Sequence, residues 1–138
     1  MVHSKSISIL LADDDPDDLE LIQDALLLQQ PGLELHSVDC GTKVLSFLSR
    51  LDDGTLPTLI ILDYNMPDLT APQILAALKS MHRYDAIVKV ILSTSNAPAF
   101  IYECKQAGAF DYFVKPSDLT ELSTIAWRIL GIATLAQG

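Results

Sequence analysis

Asp13 and Asp14, Asp63, and a lone Lys115 each stand directly after a short apolar run: Ile7 to Ala12, Leu59 to Leu62, and Phe110 to Val114. Runs of this kind read as buried parallel strands. In an open parallel sheet the ligand sits beyond the carboxyl ends of the strands, at the point where strand order reverses. Three carboxylates and one ammonium meeting there would make a metal and phosphoryl site.

Carboxylates held a few ångströms apart repel, which raises their apparent pKa values as a coupled set unless a cation offsets the charge. Oxygen-only ligands with no nearby His or Cys favour Mg²⁺, with Asp14 and Asp63 as the direct ligands. Once Mg²⁺ and the Lys115 ammonium neutralise the pocket, an Asp63 oxygen can act as nucleophile toward a phosphoryl donor. Ser93 ends a further strand-like segment, Val88-Lys89-Val90-Ile91-Leu92-Ser93, so its hydroxyl should project over the same crevice and donate to a phosphoryl oxygen. Taken alone, Ser93 would be a turn serine and Lys115 a solvated surface charge. Their places at strand ends, with Pro116 fixing the turn after the lysine, argue for the site instead. Five acids fill six positions from Asp13 to Asp18, broken only by Pro16. Asp17 and Asp18 read as a solvated helix start.

The elements that must position these groups recur in a regular alternation. Strand-like runs begin near Ile7, Leu33, Leu59, Val88 and Phe110, with room for one helix after each. The first helix should open at Pro16 and run to about Gln30, with Leu19, Ile22 and Leu26 as its apolar stripe. A second should run from Gly41 to about Leu51, and a third should open with Thr70 as N-cap and Pro72 just inside. A fourth should occupy Pro98 to Ala107 with Gly108 as its stop, and a fifth should run from the N-cap Asp118 to about Leu135. Single-helix crossovers are right-handed, so helices cover both faces of a five-stranded parallel sheet. The expected fold is doubly wound α/β, in strand order 2-1-3-4-5. The reversal then falls between the first and third strands, where the acids cluster.

The 138 residues, read as one domain over 1–138, suffice to bury a core without staples. Apolar runs of four to six residues never approach the roughly 18 to 20 that span a bilayer, so no membrane association is expected. Met1 to Ser6 lacks an apolar signal core, which makes the cytoplasm the expected compartment. Cys40 and Cys104 lie too far apart for a metal or redox motif and read as small buried hydrophobes; His3, His36 and His82 are scattered. A net charge of −9 with nine dispersed Lys and Arg argues against nucleic-acid binding.

Four segments together resemble the receiver domain of bacterial two-component response regulators, over essentially the whole chain. They are Leu10-Leu11-Ala12-Asp13-Asp14-Asp15, Ile60-Ile61-Leu62-Asp63-Tyr64-Asn65-Met66-Pro67, Leu92-Ser93-Thr94, and Gly108-Ala109-Phe110-Asp111-Tyr112-Phe113-Val114-Lys115-Pro116. The resemblance implies a flavodoxin-like (βα)5 fold. It implies Asp63 as phosphoacceptor, Asp13 and Asp14 as the acidic Mg²⁺ pair, and Asn65 as donor of a backbone carbonyl to the metal. It further implies Ser93 as switch hydroxyl, Lys115 as phosphate-pairing lysine and Tyr112 as the aromatic switch, which turns inward when a phosphoryl group draws the hydroxyl toward Asp63. That two-state shift would remodel the face made by the fourth helix, fifth strand and fifth helix. Tyr112 as a plain core aromatic is the alternative. Ala71-Pro72 departs from the family's common Asp-Gly, and Thr94 is bulkier than the usual alanine or glycine, which predicts slow loss of phosphate.

The leading expectation is therefore a phospho-receiver, not a turnover enzyme beyond self-phosphorylation and autodephosphorylation. Its partners would be a sensor histidine kinase or phosphotransfer protein and an unidentified protein effector. The apolar residues at the end of the chain, Trp127 to Leu135, exceed one buried stripe and suggest a contact. A homodimer through the fourth helix, fifth strand and fifth helix would cover them, and a partly buried terminal helix accounts for them equally well. The rival readings are a Mg²⁺-dependent phosphohydrolase with an Asp nucleophile, disfavoured by Asn65 where a second acid is wanted, and a protein-binding scaffold that is never phosphorylated.

Overall fold

The computed structural model describes residues 6–137; His3 and most of the segment read for a signal lie outside them. Five strands, β1 (Ser8–Ala12), β2 (Glu34–Val38), β3 (Leu59–Leu62), β4 (Val88–Ser93) and β5 (Asp111–Val114), form one parallel sheet in the order β2-β1-β3-β4-β5. They alternate with helices α1 (Pro16–Gln29), α2 (Gly41–Ser49), α3 (Ala71–Lys79), α4 (Pro98–Gln106) and α5 (Leu119–Gln137). The doubly wound α/β expectation holds, strand order included.

Apolar side chains leave the central strands toward both faces, as a sheet covered on both sides requires. Leu10, Ala12, Ile60, Leu62, Ile91 and Tyr112 face α2, α3 and α4, while Ile9, Leu11, Ile61, Val90, Leu92 and Phe113 face α1 and α5. Registers Ala12↔Leu62 and Leu62↔Ile91 bring the ends of β1, β3 and β4 to a common edge. The acids follow directly.

Local chemistry sets the helix ends. Asp15 caps α1, its carboxylate accepting from the backbone N–H groups of Asp17 and Asp18, with Pro16 in the first turn. Thr70 and Gln73 close a capping box on α3. Gly108, at φ 117°, lets the chain leave α4 in a conformation other residues resist. Cys40 stands at the N-cap of α2 without a side-chain bond to it. Its duty passes to Asp68 in the β3–α3 loop, which accepts from the N–H groups of Gly41 and Thr42, both at 2.8 Å, and from the Thr42 hydroxyl.

Several expectations need correcting. Phe110 is 64% exposed and β5 begins one residue later, because only the strand's interior faces packed helices. Helix α2 stops at Ser49, before Leu51, and α5 runs two residues past Leu135. Cys104 is buried, but Cys40 is only half-buried. At 19 residues, α5 is long and apolar enough to cross a bilayer by length and composition, which the short-run reading missed. In this fold its Leu122, Ala126, Ile129, Leu130 and Ala133 are instead buried against the sheet.

Candidate functional site

Backbone pairing places the acids before any side chain acts. One step past their strands, the Asp13 N–H donates to the Val38 carbonyl at 3.2 Å and the Asp63 N–H to the Ala12 carbonyl at 2.9 Å. Each carboxylate is then oriented locally. Asp13 Oδ1 accepts from the Asp15 N–H at 3.0 Å, and Asp63 Oδ1 accepts from the Tyr64 N–H at 2.9 Å. Asp13 is 1% exposed, Asp63 half-buried and Asp14 exposed. One carboxylate oxygen from each of the three lies within 4.8 Å of the others.

Lys115 enters from the end of β5, beyond β4, its backbone N–H donating to the Ser93 carbonyl at 2.7 Å. Its ammonium lies 2.6 Å from Asp13 Oδ2, 2.8 Å from Asp18 Oδ2 and 3.7 Å from Asp63 Oδ1. Asp18 is the group that the sequence reading put in solvent. It stands instead in the first turn of α1, facing the pocket and paired to the lysine. Nothing in a run of aspartates at a helix start distinguishes the member that turns inward.

The pocket's electrostatics follow from burial. Loss of water pushes the Asp63 carboxyl up to about 6, with Lys115 opposing the shift and Asp13 and Asp14 reinforcing it. Burial also raises Asp13, against the bond from Lys115. For Lys115, burial works against the charge, but the bonds to Asp13 and Asp18 and the field of Asp63 outweigh it and hold the ammonium above its ordinary value. One ammonium therefore faces three carboxylates, with that of Asp14 close to two of them. An all-oxygen donor set with uncompensated negative charge suits a hard divalent cation.

The other residues singled out lie around this cluster in different relations to it. Asn65 is exposed in the loop after Asp63, where it forms an isolated bridge with Thr70. Ser93 is buried at the end of β4, its hydroxyl oxygen accepting from the Ser95 N–H at 3.3 Å, and Thr94 beside it is exposed. Tyr112 lies outside the acid cluster. Its ring is already buried, packed in one core cluster with Tyr64, Ala109 and Cys104, and its hydroxyl donates to the Ser95 carbonyl at 2.7 Å. The ring thus points inward, with the Ser95 carbonyl as the partner of its hydroxyl. Asp68 is the second residue missed. Its place between Pro67 and Leu69 reads as a turn acid, and its partners are 26 and 27 positions away.

Comparison with known proteins points one way. A family profile described as response regulator receiver domain matches residues 9–126. The chain is 35% identical over 140 residues to the two-component response regulator ARR8 of Arabidopsis thaliana, covering 91% of this chain and 61% of that protein. It is 32% identical to ORR11 of Oryza sativa, over 88% of this chain and 80% of that one. The chain spans only about half to three-fifths of the length of ARR8, ARR9 and ORR1. Among solved structures, the phosphorylated cyanobacterial phytochrome response regulator RcpA superposes with a TM-score of 0.82 at 29% identity, covering 91% of each chain. The Mn²⁺-bound form of response regulator Rcp1 superposes at 0.78 and 26% identity, over 89% of this chain and 91% of that one.

Proposed function

Because the chain belongs to the response regulator receiver domain family, we propose that it accepts a phosphoryl group on Asp63 and signals through the state of that residue. The donor is a sensor histidine kinase or a phosphotransfer protein. One observation carries the reading: three carboxylates share a strand edge with oxygens within 4.8 Å, and a buried ammonium stands 3.7 Å from Asp63.

Asp13, Asp14 and Asp63, with the backbone carbonyl of Asn65, would hold Mg²⁺. When bound, the cation supplies the hard positive charge that lets acids and phosphoryl oxygens approach one another. The rest is the work of the chain itself. An Asp63 carboxylate oxygen forms the new O–P bond as the donor's N–P bond breaks, and the departing imidazole keeps the electron pair and takes up a proton. Lys115 stays an ammonium and pairs with the charge gathering on the phosphoryl oxygens. The Ser93 hydroxyl donates to the product, and a dianion of about −1.5 to −2 then favours whichever arrangement of the loop after β4 gives it more charge-assisted bonds.

That loop leads directly into α4 and carries the Ser95 carbonyl on which Tyr112 rests, so the readout falls on the face of α4, β5 and α5, offered to a protein effector or a second copy of the chain. Chemistry intrinsic to the chain is confined to gaining and losing the phosphoryl group, and we infer a cytoplasmic setting, consistent with two free cysteines. Incubation with Mg²⁺ and acetyl phosphate, followed by intact-mass measurement, tests the reading. A hydroxylamine-labile gain of about 80 Da, the mass of one phosphoryl group, is expected in wild type and absent from Asp63→Ala. No gain in wild type, or an equal gain in the variant, overturns it.

A further inference from the structure

We propose that Asp18 is a positioning residue for Lys115, holding its ammonium toward Asp63 from the first turn of α1 when Asp13 is drawn to the bound cation. This rests on Asp63 being the phosphoacceptor.

An ammonium carries three N–H groups and accepts nothing. Two of those on Lys115 are committed, to Asp13 Oδ2 at 2.6 Å and Asp18 Oδ2 at 2.8 Å. Asp63 Oδ1, at 3.7 Å, is within ion-pair range but beyond a hydrogen bond. The third N–H is therefore the one free to meet an oxygen arriving between the lysine and Asp63, the region into which a phosphoryl group on Asp63 projects its oxygens.

The two anchors are not equivalent. Asp13 belongs to the trio whose oxygens converge as a cation site, and Asp18 does not. A cation bound to Asp13 competes with the lysine for the same carboxylate and weakens that hold. Asp18 keeps its charge for the lysine alone. Its own position is fixed, because the Asp15 carboxylate accepts from the N–H groups of Asp17 and Asp18 and locks the turn that carries it. The lysine side chain is only 11% exposed, yet its four-carbon stem is flexible. An anchor on a separate helix removes that freedom before the phosphoryl group arrives, which is how positioning lowers a barrier.

The test compares Mg²⁺-loaded wild type with three variants. Asp18→Asn keeps the shape and removes the anchoring charge, Asp18→Glu keeps the charge, and Asp17→Asn removes a charge from the next position, outside the lysine's ion pairs. Four quantities are read: the Mg²⁺ Kd and the affinity for beryllofluoride, a phosphoryl mimic, both by calorimetry; the rate of phosphorylation by acetyl phosphate, by intact mass; and Tm. Asp18→Asn is expected to weaken beryllofluoride binding and to slow phosphorylation, each about tenfold, with the Mg²⁺ Kd held within about threefold. Asp17→Asn should leave both readouts within about twofold of wild type, and Asp18→Glu should recover most of the loss. A purely structural Asp18 would move Tm and leave the beryllofluoride affinity of the folded protein alone, which overturns the proposal. Equal effects of Asp18→Asn and Asp17→Asn overturn it too. If wild type itself takes neither phosphoryl group nor beryllofluoride, the phosphoacceptor reading falls and this proposal with it. If wild type does and Asp18→Asn matches it, only the anchor fails.

Discussion

Asp63 carries its negative charge in a place that resists it, and this conflict has a measurable signature. Its carboxyl is pushed from the ordinary 3.8 up to about 6 in the folded chain, chiefly because burial disfavours the anion. Between about pH 4 and 6 the folded state therefore binds more protons than the unfolded one, and stability falls as pH rises through that window. At neutral pH and without divalent cations the penalty reaches up to about 3 kcal/mol. Asp63→Asn should raise the Tm of the metal-free protein at pH 7 and flatten its pH profile between 4 and 6; equal midpoints at pH 7 would contradict this. Thr94, one residue past the end of β4, poses a steric question. It is exposed next to buried Ser93, where its bulk can obstruct in-line water. Thr94→Ala should shorten the half-life of the acyl phosphate several-fold, timed by loss of the added mass, and an unchanged half-life removes the steric argument. The residues that can be read from sequence are those at strand ends, since a buried run of apolar residues announces where it stops. Asp18 cannot be read that way, because its role depends on which side of a helix turns inward.

At the scale of elements, legibility follows burial. The bounds of β3 are visible because a strand covered on both faces is an unbroken apolar run, β4 shows the same in Val90 to Leu92, and α3 is visible because Thr70, Pro72 and Gln73 write its start in local chemistry. The edge strands are less distinct: β2 mixes half-buried and exposed positions without a buried one, and Phe110 looks like strand but projects into solvent. The capping of α2 by Asp68 is invisible in sequence because the acid belongs to another loop. That contact ties α2 to the segment carrying Asn65, and Gly41 makes the tie close. A Cβ at Gly41 would lie 2.7 Å from Leu69 Cβ and 3.0 Å from Ile74 Cδ1. Gly41→Ala should therefore destabilise the fold by about 1–3 kcal/mol and also weaken Mg²⁺ binding, since the displaced Leu69 lies on the loop after Asp63. Loss of stability at unchanged Mg²⁺ affinity would show that the loop does not transmit the strain.

Over the whole molecule two features stand apart from the core. Trp127, 69% exposed, joins Leu119, Leu135 and Phe110 in an apolar surface along α5 and the start of β5. The net charge of −9 is concentrated in part where three carboxylates surround one lysine. Because the chain as a whole repels itself, any salt should stabilise it somewhat by screening. A cation held in the pocket acts differently, since it binds the folded state alone and stabilises it by mass action, by about 2.7 kcal/mol at a hundred times its Kd. Screening and site binding can therefore be separated. Tm should climb with the logarithm of Mg²⁺ concentration well beyond the rise given by NaCl at matched ionic strength, and the excess should shrink or vanish in Asp13→Asn, whose carboxylate is the buried member of the cluster. The buried position of Asp13 makes this a strict comparison, because monovalent ions in bulk screen an interior charge far less than a surface one. A rise that NaCl reproduces in full would mean that the acids at the strand edge collect no cation and that the pocket's charge is borne by the fold without one, whereas an excess that survives undiminished in Asp13→Asn would mean that Asp13 is not among the residues that hold it.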